Sequence, residues 1–220
     1  MYNSIFTFAL SSILFCFISC GTTSSKTTQV DTSQAISYNQ EIENFRENKK
    51  KDFRENKRAP LVGEEIELMR FFEPDPAYRV TAKVKRIENA ESIKITTSAG
   101  EERMYIPYAT LDFMLGKESY QLIIHTSTMF LKTPKYRDLL FLMYNDETNG
   151  EETYGGGRYL ELLTTDIKNG TVTLDFNKSY HPYCHYSAGY SCPIPPNENY
   201  LPTKILAGEK KYAGEYKGEH

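Results

Sequence analysis

IKITTSAGEERMYIPYATLDFML, residues 93–115, decides the class of the fold. Ile93 and Ile95 alternate with Lys94 and Thr96, a Ser98-Ala99-Gly100 turn follows, and Met104, Ile106 and Tyr108 resume the alternation. Leu111, Phe113 and Leu115 carry it on to Gly116. Period two lays one side of an extended chain on a core, and the glycine turn joins two such runs as a hairpin. On the N-terminal side, Val80, Ala82 and Val84 alternate in the same way. On the C-terminal side, residues 120–126 and 139–144 are apolar runs, and 159–163 and 171–176 complete about eight strands. The run at 139–144 is almost continuous, which predicts burial on both faces. Short strands with turn signals between them, and no βαβ alternation, predict a mostly β domain, an antiparallel sandwich or barrel.

A helix precedes the strands. Residues 38–58 contain strong helix formers and no Gly or Pro, and place Ile42, Phe45 and Phe53 at helical spacing. FRENK occurs at 45–49 and again at 53–57, so Phe45 and Phe53 share a face. Lys49-Lys50-Lys51 reads as a solvated face interleaved with acids, the alternative being contact with anionic headgroups. Ala59-Pro60 ends the helix.

Residues 5–18 are almost wholly apolar, too short to span a bilayer but right for the core of a signal peptide. They end in Phe17-Ile18-Ser19-Cys20-Gly21, which resembles a lipobox, so residues 1–20 are expected to be a lipoprotein signal with Cys20 as the lipidation site; a plain secretory signal is the alternative. Residues 21–37, rich in Ser and Thr, read as a flexible tether. The expected location is therefore outside the cytoplasm, lipid-anchored to a bacterial membrane. The net charge of −3 argues against a general nucleic-acid binder. Residues 1–60 hold eight Lys/Arg against six Asp/Glu and residues 61–220 hold eighteen against twenty-three, so the body is mildly acidic.

Residues 178–210 differ in kind. Pro182, Pro193, Pro195, Pro196 and Pro202 exclude a helix or central strand, while tyrosines and two cysteines argue for order, so this part reads as an ordered flap over one sheet. Export favours a disulfide between Cys184 and Cys192. The alternatives are a zinc site with His181 and His185, although the spacing matches no common zinc pattern, or free thiols. His125, in an apolar strand, reads as a satisfied core histidine.

Tyr154-Gly155-Gly156-Gly157-Arg158 precedes a strand. Successive glycines converge backbone N–H groups on an anion and Arg offers a bidentate fork, or the same residues make a tight turn with Arg158 in a structural ion pair. Asp146, Glu152 and Asp175 lie by strand ends, where paired carboxylates serve acid–base chemistry or cap turns. Neither a nucleotide loop nor a calcium loop is present, and no cofactor or metal is expected.

Taken together, Asp146-Glu147-Thr148-Asn149-Gly150, Glu152-Thr153-Tyr154-Gly155, Gly157-Arg158-Tyr159-Leu160, Asp175-Phe176-Asn177, Tyr180, Pro182, Cys184, Cys192-Pro193, Pro195-Pro196, Glu198-Asn199, Leu201 and Ala207-Gly208-Glu209-Lys210 resemble the domain of unknown function 1684 family, over roughly residues 45–212. The resemblance implies a shared domain, in an exported lipoprotein of a Bacteroidetes-type bacterium, and transfers no chemistry. Tyr144-Asn145, His181 and Tyr200 depart from the family's Phe-Arg, Asn and Arg, which weakens an anion-binding reading. The expectation is a membrane-anchored protein whose polar loops bind a small molecule or glycan. Asp146, Glu152, Tyr154, Arg158, Asp175, Asn177, Glu198, Asn199 and Glu209 are the candidates to line that site. A carboxylate-dependent hydrolase and a structural lipoprotein are the alternatives.

Overall fold

A computed structural model describes residues 32–218. The expected signal peptide, the Cys20 lipidation site and residues 21–31 of the tether lie outside the described residues. Helix α1 spans Thr32–Glu55 and is followed by β1 (Arg70–Phe71), β2 (Arg79–Arg86), β3 (Ile93–Thr96), β4 (Glu102–Leu115) and β5 (Glu118–Ser127). A short helix α2 (Thr128–Lys132) leads to β6 (Leu139–Asp146), β7 (Arg158–Leu163), β8 (Thr171–Asp175), β9 (Tyr200–Leu201) and β10 (Glu209–Lys210). The fold is mostly β, and its main element is one sheet curled into a half-barrel. Six strands run in the order β7-β6-β5-β4-β2-β8, with β3 on β4 and β9 on β6, and every pair but β6–β9 is antiparallel.

The two faces of the sheet hold two cores. Leu111, Phe113, Leu122, Ile124, Leu140, Leu142, Leu160 and Phe176 pack inside the curl. Ile95, Tyr105, Phe141, Met143 and Tyr159 pack on the outer face. All of Leu140, Phe141, Leu142, Met143 and Tyr144 are buried, as the continuous apolar run predicts. Each fully buried Leu or Phe contributes up to roughly 1.5–3 kcal/mol.

The alternation expected in β4 changes phase. Tyr105 is buried and Met104 exposed, opposite to the inward face assigned to Met104, Ile106 and Tyr108. The cause is a bulge between Pro107 and Ala109, which leaves Tyr108 without a partner on β5. One extra residue moves odd-numbered side chains from the outer core to the inner one.

Helix α1 buries Tyr38, Ile42 and Phe53 along one stripe. It starts at Thr32 and ends at Glu55, not at 38 and 58. Residues 32–37, assigned to the tether, contain no Gly or Pro to stop a docked helix from extending. The proline-rich flap lies across the outer face: Tyr159 exchanges backbone hydrogen bonds with Tyr180, and its hydroxyl donates to the Pro193 carbonyl. A disulfide joins Cys184 to Cys192 within it, which removes the free-thiol and zinc alternatives. The flap is not wholly irregular, because β9 and β10 each contribute two residues to a sheet edge.

Candidate functional site

The nine sequence-chosen residues do not converge on one cavity; they divide into internal networks. The Asp146–Arg158 pair is the most enclosed. Asp146 Oδ2 receives Arg158 Nη2 at 2.7 Å, and Asp146 Oδ1 receives the Thr148 N–H and hydroxyl at 2.9 and 2.6 Å. Arg158 also donates to the carbonyls of Ala207 and Ile205, so its fork holds the flap and is closed to an external anion. The glycines before it make a tight turn. Gly157 has φ +86°, and a Cβ there would lie 2.5 Å from Pro195 Cγ and 2.8 Å from the Tyr144 carbonyl oxygen. Glu152 pairs with Lys204 at 2.9 Å near the surface.

Glu209 sits in a second closed network. Tyr186 donates its hydroxyl to Oε1, the His181 N–H donates to Oε2 at 3.0 Å, and the His181 ring lies 3.6 Å away. His181 Nε2 accepts the Tyr154 N–H at 3.2 Å, which assigns the neutral imidazole with its proton on Nδ1. Burial holds His181 below the usual histidine range and carries His185 down to about 3. His185 Nε2 accepts the Tyr212 N–H at 2.8 Å, and its ring packs tilted against Tyr154 with centroids 4.9 Å apart.

Asn199 is a sheet rung. β5 and β6 pair only at His125 and Phe141, and the Asn199 amide spans the opening beside them. It accepts from the Ile123 N–H at 2.7 Å and donates to the Ile123 and Met143 carbonyls at 2.8 and 2.7 Å. Glu198 next to it is exposed. His125 is buried as expected but not satisfied, since neither ring nitrogen meets a hydrogen-bond partner. Burial brings its pKa down to about 4.

Asp175 and Asn177 dock the helix. Asp175 Oδ1 accepts from the Tyr38 hydroxyl at 2.9 Å, and Asn177 Nδ2 donates to that hydroxyl and to the Asp75 carbonyl, each at 2.8 Å. Burial, with Asp175 beside it, pushes the Tyr38 phenol well up. Asp175 Oδ2 is buried with no hydrogen-bond partner, and Arg79 Nε stands 4.0 Å away.

Asp175 also lines a cleft of about 650 Å³ between edge strands β7 and β8 with α1 along it. Of the nine candidates only Asp175 lines this cleft. Its apolar side is Phe45, Leu160 and Leu162, and its polar side includes Asn48, Lys49, Glu161, Lys178 and Tyr180. Lys178 and Arg79 are both engaged by Glu41, at 2.6 and 3.1 Å. Lys49 has no such partner. Its ammonium lies 3.4 Å from the centre of the Tyr180 ring and makes no ion pair among the described residues. Burial holds its pKa below the ordinary lysine value despite Glu209, Glu161 and Asp52 nearby. Tyr180 donates its hydroxyl to Glu161.

Lys49 is the residue that the charge run concealed. It lies four residues after Phe45 and four before Phe53, on the stripe the FRENK repeat marks, and only that spacing separates it from the solvated Lys51. Its short path to the ring gives a cation–π contact of about 0.5–2 kcal/mol in place of an ion pair. Among the described residues no group of three His, Cys, Asp or Glu side chains is arranged to hold a metal ion.

A family model described as "Protein of unknown function (DUF1684)" matches residues 64–210. The solution NMR structure of an uncharacterised protein from Haloarcula marismortui is 36% identical, covers 81% of this chain and 96% of its own, and superposes with a TM-score of 0.62. No curated protein matches the chain.

Proposed function

Because this chain belongs to the DUF1684 family, whose description names no activity, its function must be read from its own site, and we propose that it binds a small polar ligand of the glycan class in the cleft between β7, β8 and α1. The observation that carries this reading is the Lys49 ammonium, over Tyr180 and without an ion pair among the described residues, in a cleft that Asp175 also lines. A sugar ring offers what such a cleft lacks: hydroxyl donors for a carboxylate, oxygen acceptors for an ammonium, and an apolar face for Phe45 and Tyr180. Of the carboxylates named for acid–base chemistry, Asp146 is bound inside the protein and Glu152 is paired near the surface, which leaves Asp175 alone of the three in the cleft, so binding is favoured over two-carboxylate hydrolysis.

The cleft is tested by thermal shift and heteronuclear NMR with a panel of neutral and acidic sugars. A ligand at 100 times its Kd stabilises by about 2.7 kcal/mol, a shift of several degrees. Lys49→Met is expected to abolish the shift and leave the unliganded protein at least as stable, since it replaces a poorly solvated charge with an isosteric apolar chain. A panel that moves neither the melting temperature nor the cleft resonances overturns the proposal.

The same reading includes export and a lipid anchor at Cys20, supported by the apolar segment before it and by the Cys184–Cys192 disulfide, which suits an oxidising compartment. Its test is mass spectrometry of the mature N-terminus. Diacylglycerol on Cys20, lost in Cys20→Ala, is the expected result.

A further inference from the structure

The segment TMFLKTPKYR, residues 128–137, contradicts its surroundings. Ser127 caps α2 by accepting from the N–H groups of Met129 and Phe130, and Phe130 turns inward against Phe141. Its neighbours turn outward: Met129 is 60% exposed, Leu131 51% and Tyr136 42%. Single exposed apolar residues are ordinary, but three within one short segment mark a contact surface. Lys132, Lys135 and Arg137 stand among them with no acidic residue in the segment, in a body whose balance is acidic. None of the three makes an ion pair among the described residues.

A second, smaller cleft of about 260 Å³ adjoins this segment, with Leu131 and Arg137 among its lining residues. Ile106 and Leu140 make it apolar, and Arg86 brings a second guanidinium, stacked 3.4 Å over the Tyr108 ring. Two arginines lining one cleft suit a phosphate group, and the apolar walls suit the first methylenes of an acyl chain.

We infer that residues 128–137 and the adjoining cleft form a membrane-contact surface that takes an anionic phospholipid. Charge complementarity selects this occupant. A second copy of the chain would set the same three cations against each other across a two-fold interface, whereas an anionic bilayer neutralises them and covers the apolar side chains at once. The contact is separate from the cleft lined by Lys49. It also acts apart from any acyl group at Cys20, adding a contact of the folded body to an anchor that holds the chain at one residue.

The chain contains no tryptophan, so Met129→Trp places a lone fluorescent reporter in the surface and Val62→Trp, at a residue 65% exposed elsewhere, serves as its control. Both are made in the full chain and mixed with phosphatidylcholine vesicles, with and without phosphatidylglycerol, carrying brominated acyl chains. The Met129→Trp reporter is expected to shift to the blue and be quenched only with phosphatidylglycerol, while the Val62→Trp reporter stays exposed. Adding Lys132→Glu, Lys135→Glu and Arg137→Glu is expected to weaken vesicle binding about tenfold or more, with the far-ultraviolet circular dichroism unchanged. Equal quenching of both reporters, or quenching indifferent to phosphatidylglycerol, overturns the inference. So does a blue shift that grows with protein concentration in the absence of vesicles, because a second copy then covers the patch.

Discussion

Arg158 Nη2 lies 2.7 Å from Asp146 Oδ2, and neither side chain has any exposed surface. The two residues end opposite strands of the β6–β7 hairpin, and the same guanidinium reaches the Ala207 and Ile205 carbonyls of the flap. The pair therefore ties the hairpin to the flap.

Removing one member of a buried pair leaves the other charge without compensation, which costs about 3–5 kcal/mol. Arg158→Ala is expected to lower the melting temperature by roughly 10 °C or more, read by circular dichroism. Replacing both residues with apolar ones of similar volume is expected to recover much of the loss. A single variant that melts with the parent would show that the pair carries no structural role.

Gly157 and Gly100 provide a matched comparison, since both have positive φ, +86° and +78°. A Cβ at Gly100 meets nothing within 4 Å, so Gly100→Ala is expected to cost only the left-handed backbone term, about 1–2 kcal/mol. Gly157→Ala adds collisions with Pro195 and the Tyr144 carbonyl and is expected to cost several kcal/mol more or prevent folding. Denaturant titration of the two variants measures the difference.

Asn199→Ala removes three hydrogen bonds from the opening between β5 and β6 and leaves backbone groups of Ile123 and Met143 unpaired. The expected loss is about 2–4 kcal/mol. Faster hydrogen exchange at Ile123 would locate it. Asn199→Asp is expected to be at least as damaging, because a carboxylate cannot donate to either carbonyl.

Three buried histidines set a pH dependence. His125 titrates near 4 and His185 near 3 in the folded chain, and burial lowers His181 in the same direction. An unfolded histidine takes up its proton near 6.5, so between about 6.5 and 4 the unfolded chain binds more protons than the folded one. Stability is therefore fully present above about pH 6.5 and declines as the pH falls toward 4. Denaturant midpoints at pH 7.5, 5.5 and 4.5 should show that fall. His185→Gln keeps an acceptor for the Tyr212 N–H and should flatten the curve.

The local sequence determined the elements. Alternation marked the strands from Val80 to Leu115, apolar runs marked those at 120–126 and 139–144, the second announcing burial on both faces, and the prolines after Phe176 announced a flap, because side-chain period and backbone restriction act over a few residues. Partners separated by more than that were decided only in the tertiary structure. No local pattern shows that Arg158 meets Asp146 and two flap carbonyls, that one bulged residue changes the face of Tyr105, or that Lys49 turns under α1 onto Tyr180 while Lys51 stays in water. A guanidinium or an ammonium has the same composition whether it binds a ligand or closes an internal pair. Its role is set by which groups the curl of the sheet brings within 3 or 4 Å of it, and that distance is a property of the assembled chain.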